Sequence, residues 1–247
     1  MSRTLRIVFL ALFLPLVWGT SARAQGGKAN FGQRSPADDN VGVGIEQVGV
    51  LVYPSKMLYE GIDSGEVRAA ISVDSDGNLK DCMITAYTMP EFADAVLAAL
   101  KRWRYHPAKA NGRPTASCSD LLVEFRSEGV VVQTLPGAMV RHAFDSLDEH
   151  YRYKPSQLRD LDRIPTPVHV VTPVANSDDQ IHSVTVEFYI DEQGNVRMAA
   201  VPRTSAGDAY AAAAVAAVEQ WRFEPPLRRG QPVLVLAQQE FNFRPKK

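Results

Sequence analysis

Ala95-Val-Leu-Ala-Ala-Leu-Lys-Arg-Trp-Arg-Tyr-His-Pro-Ala108, followed by Lys109-Ala-Asn-Gly-Arg-Pro114, returns later in the chain as Ala213-Ala-Val-Ala-Ala-Val-Glu-Gln-Trp-Arg-Phe-Glu-Pro-Pro226, followed by Leu227-Arg-Arg-Gly-Gln-Pro232. Trp103, Pro107, Gly112 and Pro114 each reappear 118 residues on, as Trp221, Pro225, Gly230 and Pro232. A repeat of that length is a duplicated domain. Tyr105 and Phe223 complete the matched set.

Upstream of the first copy of this stretch, Phe92, Ala95, Val96, Ala99, Leu100 and Trp103 recur at spacings of three and four, one apolar stripe of a helix that starts near Pro90-Glu91. Before it, Val67, Ala69, Ile71 and Val73 alternate with Arg68, Ala70, Ser72 and Asp74, the period of a half-buried strand. Asp76-Gly77 marks a tight turn, and Leu79 to Tyr87 makes the second strand of a hairpin. After the helix, Asn111-Gly112 turns the chain into a third strand, Thr115 to Phe125.

The order strand, strand, helix, strand gives a three-stranded antiparallel sheet in the order 2-1-3, with the helix as crossover and strand three at the edge. The second copy repeats it. Val184, Val186, Phe188 and Ile190 alternate, Gly194-Asn195 turns, Tyr210, Ala214, Val218 and Trp221 give the stripe, and Val233 to Phe243 closes the unit. The fold class is therefore α+β, two tandem β-β-α-β domains at 46–126 and 164–247. The connector 127–163 is expected to be partly packed, with Val130 to Val132 extending strand three or crossing over and a short helix in Arg141 to Tyr153.

At the N-terminus, Arg3 and Arg6, the apolar run Ile7 to Trp18 and Ala22-Arg23-Ala24 read as a cleaved signal peptide over 1–24, and 25–45 as a flexible leader. Cleavage would leave 24 basic against 28 acidic residues, and no basic stripe appears, so nucleic acid is not a partner. No second membrane segment follows, which places the chain in the periplasm; retention of residues 7–20 as an inner-membrane anchor is the alternative.

The five histidines, His106, His142, His150, His169 and His182, lie apart with no ligand spacing around them, and no nucleophile elbow, phosphate loop or HExxH pair occurs. Hence no enzyme, metal or cofactor is expected. Asp74-Ser75-Asp76-Gly77-Asn78 has a calcium-loop flavour but its glycine is misplaced, and a hairpin turn explains it. Cys82 and Cys118 are the only cysteines. An oxidising compartment argues for a bridge, but strands two and three of a 2-1-3 sheet lie about 9.6 Å apart, beyond the ~7 Å limit, and that argument is given more weight.

Tyr53-Pro54, Gly65-Glu66-Val67, Val73-Asp74, Gly77, the alanine-rich helix, Lys101-Arg102-Trp103-Arg104-Tyr105, Pro107-Ala108, Asn111-Gly112, Pro114 and Phe125 resemble the C-terminal domain of TonB, and the second copy follows the same string except at its start, where Thr172-Pro173 replaces Tyr53-Pro54. The resemblance implies a periplasmic domain that grips an extended segment of an outer-membrane receptor by pairing it with the third strand. Transferred by position, the docking edges are Leu121, Leu122, Val123, Glu124 and Phe125 in the first copy and Val233, Val235, Gln239, Phe241 and Phe243 in the second. The partner expected is such a receptor or another periplasmic protein. Assembly through the same edges, within the chain or as a homodimer, is the competing reading. The 25–45 leader lacks the Pro/Lys-rich spacer of TonB, so capture without energised pulling is expected unless residues 7–20 stay as an anchor.

Overall fold

The computed structural model describes residues 41–110, 112–135, 150–174, 182–201 and 208–243. In chain order the first copy contains β1 (Gly44–Glu46), α1 (Ser55–Tyr59), β2 (Ser64–Val73), β3 (Leu79–Tyr87), α2 (Pro90–Leu100), β4 (Arg104–His106), β5 (Ala108–Ala110), β6 (Arg113–Thr115), β7 (Ser117–Arg126) and β8 (Gly129–Leu135). After a 3-10 turn at Leu158–Asp160, the second copy contains β9 (Pro167–His169), β10 (His182–Ile190), β11 (Val196–Ala200), α3 (Asp208–Val218), β12 (Arg222–Phe223), β13 (Leu227–Arg228), β14 (Gln231–Pro232) and β15 (Val235–Phe243).

Val67, Ala69, Ile71 and Val73 are fully buried beneath α2, whose Phe92, Val96, Ala99 and Leu100 come down on them. Proline in the first turn and Glu91 beside it suit the start of the helix, and Glu91 also pairs with Lys56 of α1. Phe92 stacks on Phe125 at 4.6 Å, and Tyr53 meets both rings edge-on. In the second copy Tyr210, Ala214, Val218 and Trp221 cover Val184, Val186 and Phe188 in the same way.

Both hairpins close on one device. Asp74 Oδ1 accepts from the N–H groups of Asp76 (3.0 Å) and Asn78 (2.8 Å), and Asp191 Oδ1 from those of Gln193 (3.0 Å) and Asn195 (2.8 Å). The glycines that follow, Gly77 and Gly194, sit at φ +87 and +85, and a Cβ on Gly194 would lie 2.0 Å from the Phe223 carbonyl oxygen. The turn is thereby pressed against the segment that leaves the helix.

The first sheet runs β3-β2-β7-β8 and the second β11-β10-β15. The first is thus four-stranded, not three: Ser127-Glu128 reverses the chain, and β8 pairs antiparallel with β7 from Arg126↔Gly129 to Asp120↔Leu135. Val130 and Val132 pack on the first core, which is why the valine run folds back on its own copy and does not cross over.

Two further expectations change. The leader does not extend to residue 45, because Val41 exchanges backbone bonds with Lys109 (3.0 and 2.8 Å) and β1 pairs with β4. Most of the helix expected in Arg141 to Tyr153 lies outside the described residues, as does the signal segment; its end is extended, with Tyr153 bridged to Tyr87 and their rings stacked at 5.2 Å.

The sheet faces that turn away from the helices meet each other. Ala70 and Met83 of the first copy pack with Tyr189, Met198 and Leu234 of the second, flanked by Cys118, Tyr153 and Leu236. Arg197 spans the contact to Asp81, its Nε donating to Oδ2 at 2.6 Å, and the Tyr153 hydroxyl donates to Glu192 at 2.6 Å. The strands read as half-buried are therefore covered on both faces: Ala70 is 1% exposed and Tyr189 0%. Burial pushes the Tyr189 phenol well up, with the charges of Asp120 and Glu187 adding to it.

Cys82 and Cys118 are free thiols. Cys82 pairs across from Ile71, on the helix side, whereas Cys118 pairs across from Ser72 and directs its Sγ toward the Ala199 carbonyl at 3.9 Å. They lie on opposite faces as well as on opposite sides of β2, and no bridge could join them.

Candidate strand-docking edge

The third strands of the two copies, β7 and β15, hold equivalent places and have different neighbours. The outer side of β7 is occupied along Asp120 to Arg126 by β8, so Leu121, Leu122, Val123, Glu124 and Phe125 do not form a free edge. Leu121, Val123 and Phe125 are core residues, 0%, 0% and 1% exposed. A row of unpaired backbone groups invites pairing, and the following segment supplies it here.

β15 pairs with β10 through an unbroken ladder from His182↔Phe243 to Ile190↔Val235, and no strand among the described residues lies on its other side. Among the described residues the connector makes its backbone bonds to that side at the start of the strand, where Ser156 bridges Val235 in parallel and its N–H donates to the Leu234 carbonyl at 2.8 Å, and Leu158 and Pro165 lie further along beside Gln239. The Ser156 bond fixes the parity of the strand. Alternate residues aim their backbone groups to the same side, so Leu236, Gln238, Glu240 and Asn242 present theirs outward. Val235 turns its backbone groups toward β10 with Ser156 beside it, and Val233 precedes the strand, its N–H spent on the Pro226 carbonyl at 2.9 Å. Among the described residues, the part of the edge with no strand or bridge on its outer side is therefore the stretch from Ala237 to Phe243.

The side chains of Ala237, Gln239 and Phe241 point to the helix face, where Trp221 lies 5.7 Å from Phe241 and 6.3 Å from Phe188. The Trp221 indole N–H donates to the Val171 carbonyl at 2.8 Å, which ties the lead-in of this copy to its core. A small crevice lined by Leu158, Pro165, Trp221, Phe223 and Gln239 lies beside the strand. Gln239 is 3% exposed; its Nε2 donates to the Glu240 carbonyl at 2.8 Å, and its Oε1 is buried without a hydrogen-bond partner among the described residues.

The remaining motif residues support this frame. Trp103 and Trp221 end the helical stripes, Tyr105 and Phe223 lie buried just beyond, and the Tyr105 hydroxyl donates to the Leu100 carbonyl at 2.6 Å. Pro107 and Pro225 sit between short strands, Gly112 turns β5 into β6, and Gly230 turns β13 into β14. Asp162 of the connector accepts from the Arg229 and Gly230 N–H groups (2.8 and 2.7 Å), and these bonds hold its carboxyl below the ordinary range. The fastening of Ser156 and Asp162 to the second copy has no signal in the repeat, since the connector occurs once.

Among the described residues no group of His, Cys, Asp or Glu could hold a metal ion, and no helix is long and apolar enough to cross a membrane.

What these features define is a class: a duplicated sheet-and-helix unit in which one copy has its third-strand edge filled from within and the other, among the described residues, has no strand beside it. The chain matches the family described as Gram-negative bacterial TonB protein C-terminal over residues 50–126 and 174–245, more than half its length, and it belongs to that family. Membership ties it to TonB-dependent transport, a family role that is not enzymatic and is exercised in the periplasm or from a membrane anchor. A comparison with curated proteins gives no match.

Proposed function

We propose that the chain captures one extended segment of a periplasmic or outer-membrane partner by adding it as a strand to β15. The observation that carries this reading is the contrast between the two third strands: among the described residues β7 has a neighbour on each side, and β15 has one on a single side beyond its first residues. Main-chain groups of Gln238, Glu240 and Asn242 supply affinity, and the alternating side chains supply selectivity. The partner is the N-terminal segment of an outer-membrane receptor. In this reading the chain works in the periplasm after cleavage following Ala24, which N-terminal sequencing of the mature protein checks. Amide exchange with and without synthetic receptor N-terminal segments tests the capture itself. Protection at Gln238, Glu240 and Asn242 is the expected result, and none from any of several such segments would refute it.

The open edge also supports an assembly reading, in which β15 pairs with the β15 of a second copy. Solution size separates the two. A dimer whose β15 amides are already protected without peptide would favour assembly.

A further inference from the structure

Leu121 and Gln239 occupy the same place in the two copies, 118 residues apart, on the helix side of the third strand. Leu121 is an ordinary core residue beneath a filled edge. Gln239 is almost as buried, and its amide oxygen has no hydrogen-bond partner among the described residues. An apolar residue does this structural job in the first copy, and an unpaired buried amide oxygen weakens a fold. The other half of the amide lies on the open edge: Nε2 holds the Glu240 carbonyl, one of the outward-facing acceptors that an added strand would use.

The first copy shows what such a strand is. On β8, Val130 lies across from Phe125, Val132 from Val123 and Thr134 from Leu121. Carried over by the repeat, the occupant of β15 is an extended peptide running antiparallel, with apolar residues opposite Phe243 and Phe241 and a third residue opposite Gln239. Because the backbone of Gln239 faces β10, it and that third residue form a non-hydrogen-bonded pair, the kind in which side chains come closest.

Taking β15 as the docking edge, we propose that Gln239 is a selectivity residue. In the empty protein its amide caps Glu240. When a strand adds, the Glu240 carbonyl passes to a peptide N–H, and the freed amide pairs with a hydroxyl- or amide-bearing side chain, Thr, Ser, Asn or Gln, opposite Gln239. Oε1 is the acceptor waiting for that donor.

The test uses the full chain and two peptides, Gly-Val-Val-Val-Gln-Thr-Leu and the same sequence with Val in place of Thr, titrated by fluorescence anisotropy with amide exchange to locate them. The Thr peptide should bind about ten-fold more tightly to the unaltered protein. Gln239→Leu should abolish that preference, and the comparison of two peptides on the unaltered chain stands even if the variant folds poorly. Equal affinities with protection at Gln238, Glu240 and Asn242 would overturn the role of Gln239 while leaving β15 as a docking edge. Loss of protection along β8, Gly129 to Leu135, with none gained on β15 would mean exchange with β8 and would also overturn it. Should neither peptide protect any strand, the antiparallel register is wrong, and the receptor segments decide separately whether the edge captures anything.

Discussion

Replacing Gln239 by leucine, the residue at the matching place in the first copy, should make the protein more stable. Two terms set the size. Removing a buried amide oxygen without a partner recovers about 1–3 kcal/mol. The Nε2 bond to the Glu240 carbonyl is lost, worth about 0.5–1.5 kcal/mol, but that carbonyl faces the open edge and water replaces much of it. Leucine nearly matches glutamine in volume, and the surrounding Trp221, Phe223 and Ala237 are apolar, so no cavity term is added. The net is a gain of about 1–2 kcal/mol, or a rise in Tm of about 2–8 °C for a chain of this size. Urea titration and calorimetry measure it. A loss greater than about 1 kcal/mol would refute the reasoning, because it would show that Oε1 has a bond the fold needs.

Gly194→Ala should cost more than Gly77→Ala, since a Cβ would lie 2.0 Å from the Phe223 carbonyl oxygen in the one case and 2.8 Å from that of Tyr105 in the other. Losses of about 4 and about 2 kcal/mol by urea denaturation are expected, and equal losses would contradict the contacts. Both thiols should titrate in denatured, unreduced protein, whereas in the native protein Cys118, pushed up to about 12 by burial, should resist alkylation at pH 8; a blocked pair would contradict the strand order. The Asn78 and Asp76 N–H groups hold the Asp74 carboxyl below its ordinary value, so its contribution is complete above that value and fades as pH falls through the lower, folded one. Asp74→Asn should therefore lose less stability than the unaltered protein between pH 5 and pH 2, and parallel curves would contradict this.

The hairpins, helices and third strands were legible because Val67, Ile71, Val184 and Phe188 alternate cleanly and Trp103 and Trp221 close stripes of helical period. The back-to-back contact was not, although it left traces. Met83, Cys118, Tyr189 and Leu236 stand at positions a solvated face would give to polar residues, and the same faces carry Arg68, Asp81 and Arg197, which read as surface. The filling of the first edge rested on a valine run that alternation alone could not assign. At the candidate site, sequence identified β15 but marked Val233 and Val235 alongside Gln239. Only the placement of Ser156 and the Pro226 carbonyl, which come from the connector and from the segment just before β13, separates the closed residues from those with no strand beside them.

Duplication usually invites the thought of a two-handed molecule whose grips reinforce one another. With the outer side of the first copy's third strand already taken by its own chain and the flat sides of both units hidden against each other, capture as proposed would use the third strand of one copy and not of both. Its stoichiometry should be one segment per chain, and crowding a surface with partners would raise its occupancy without any avidity gain from a single molecule.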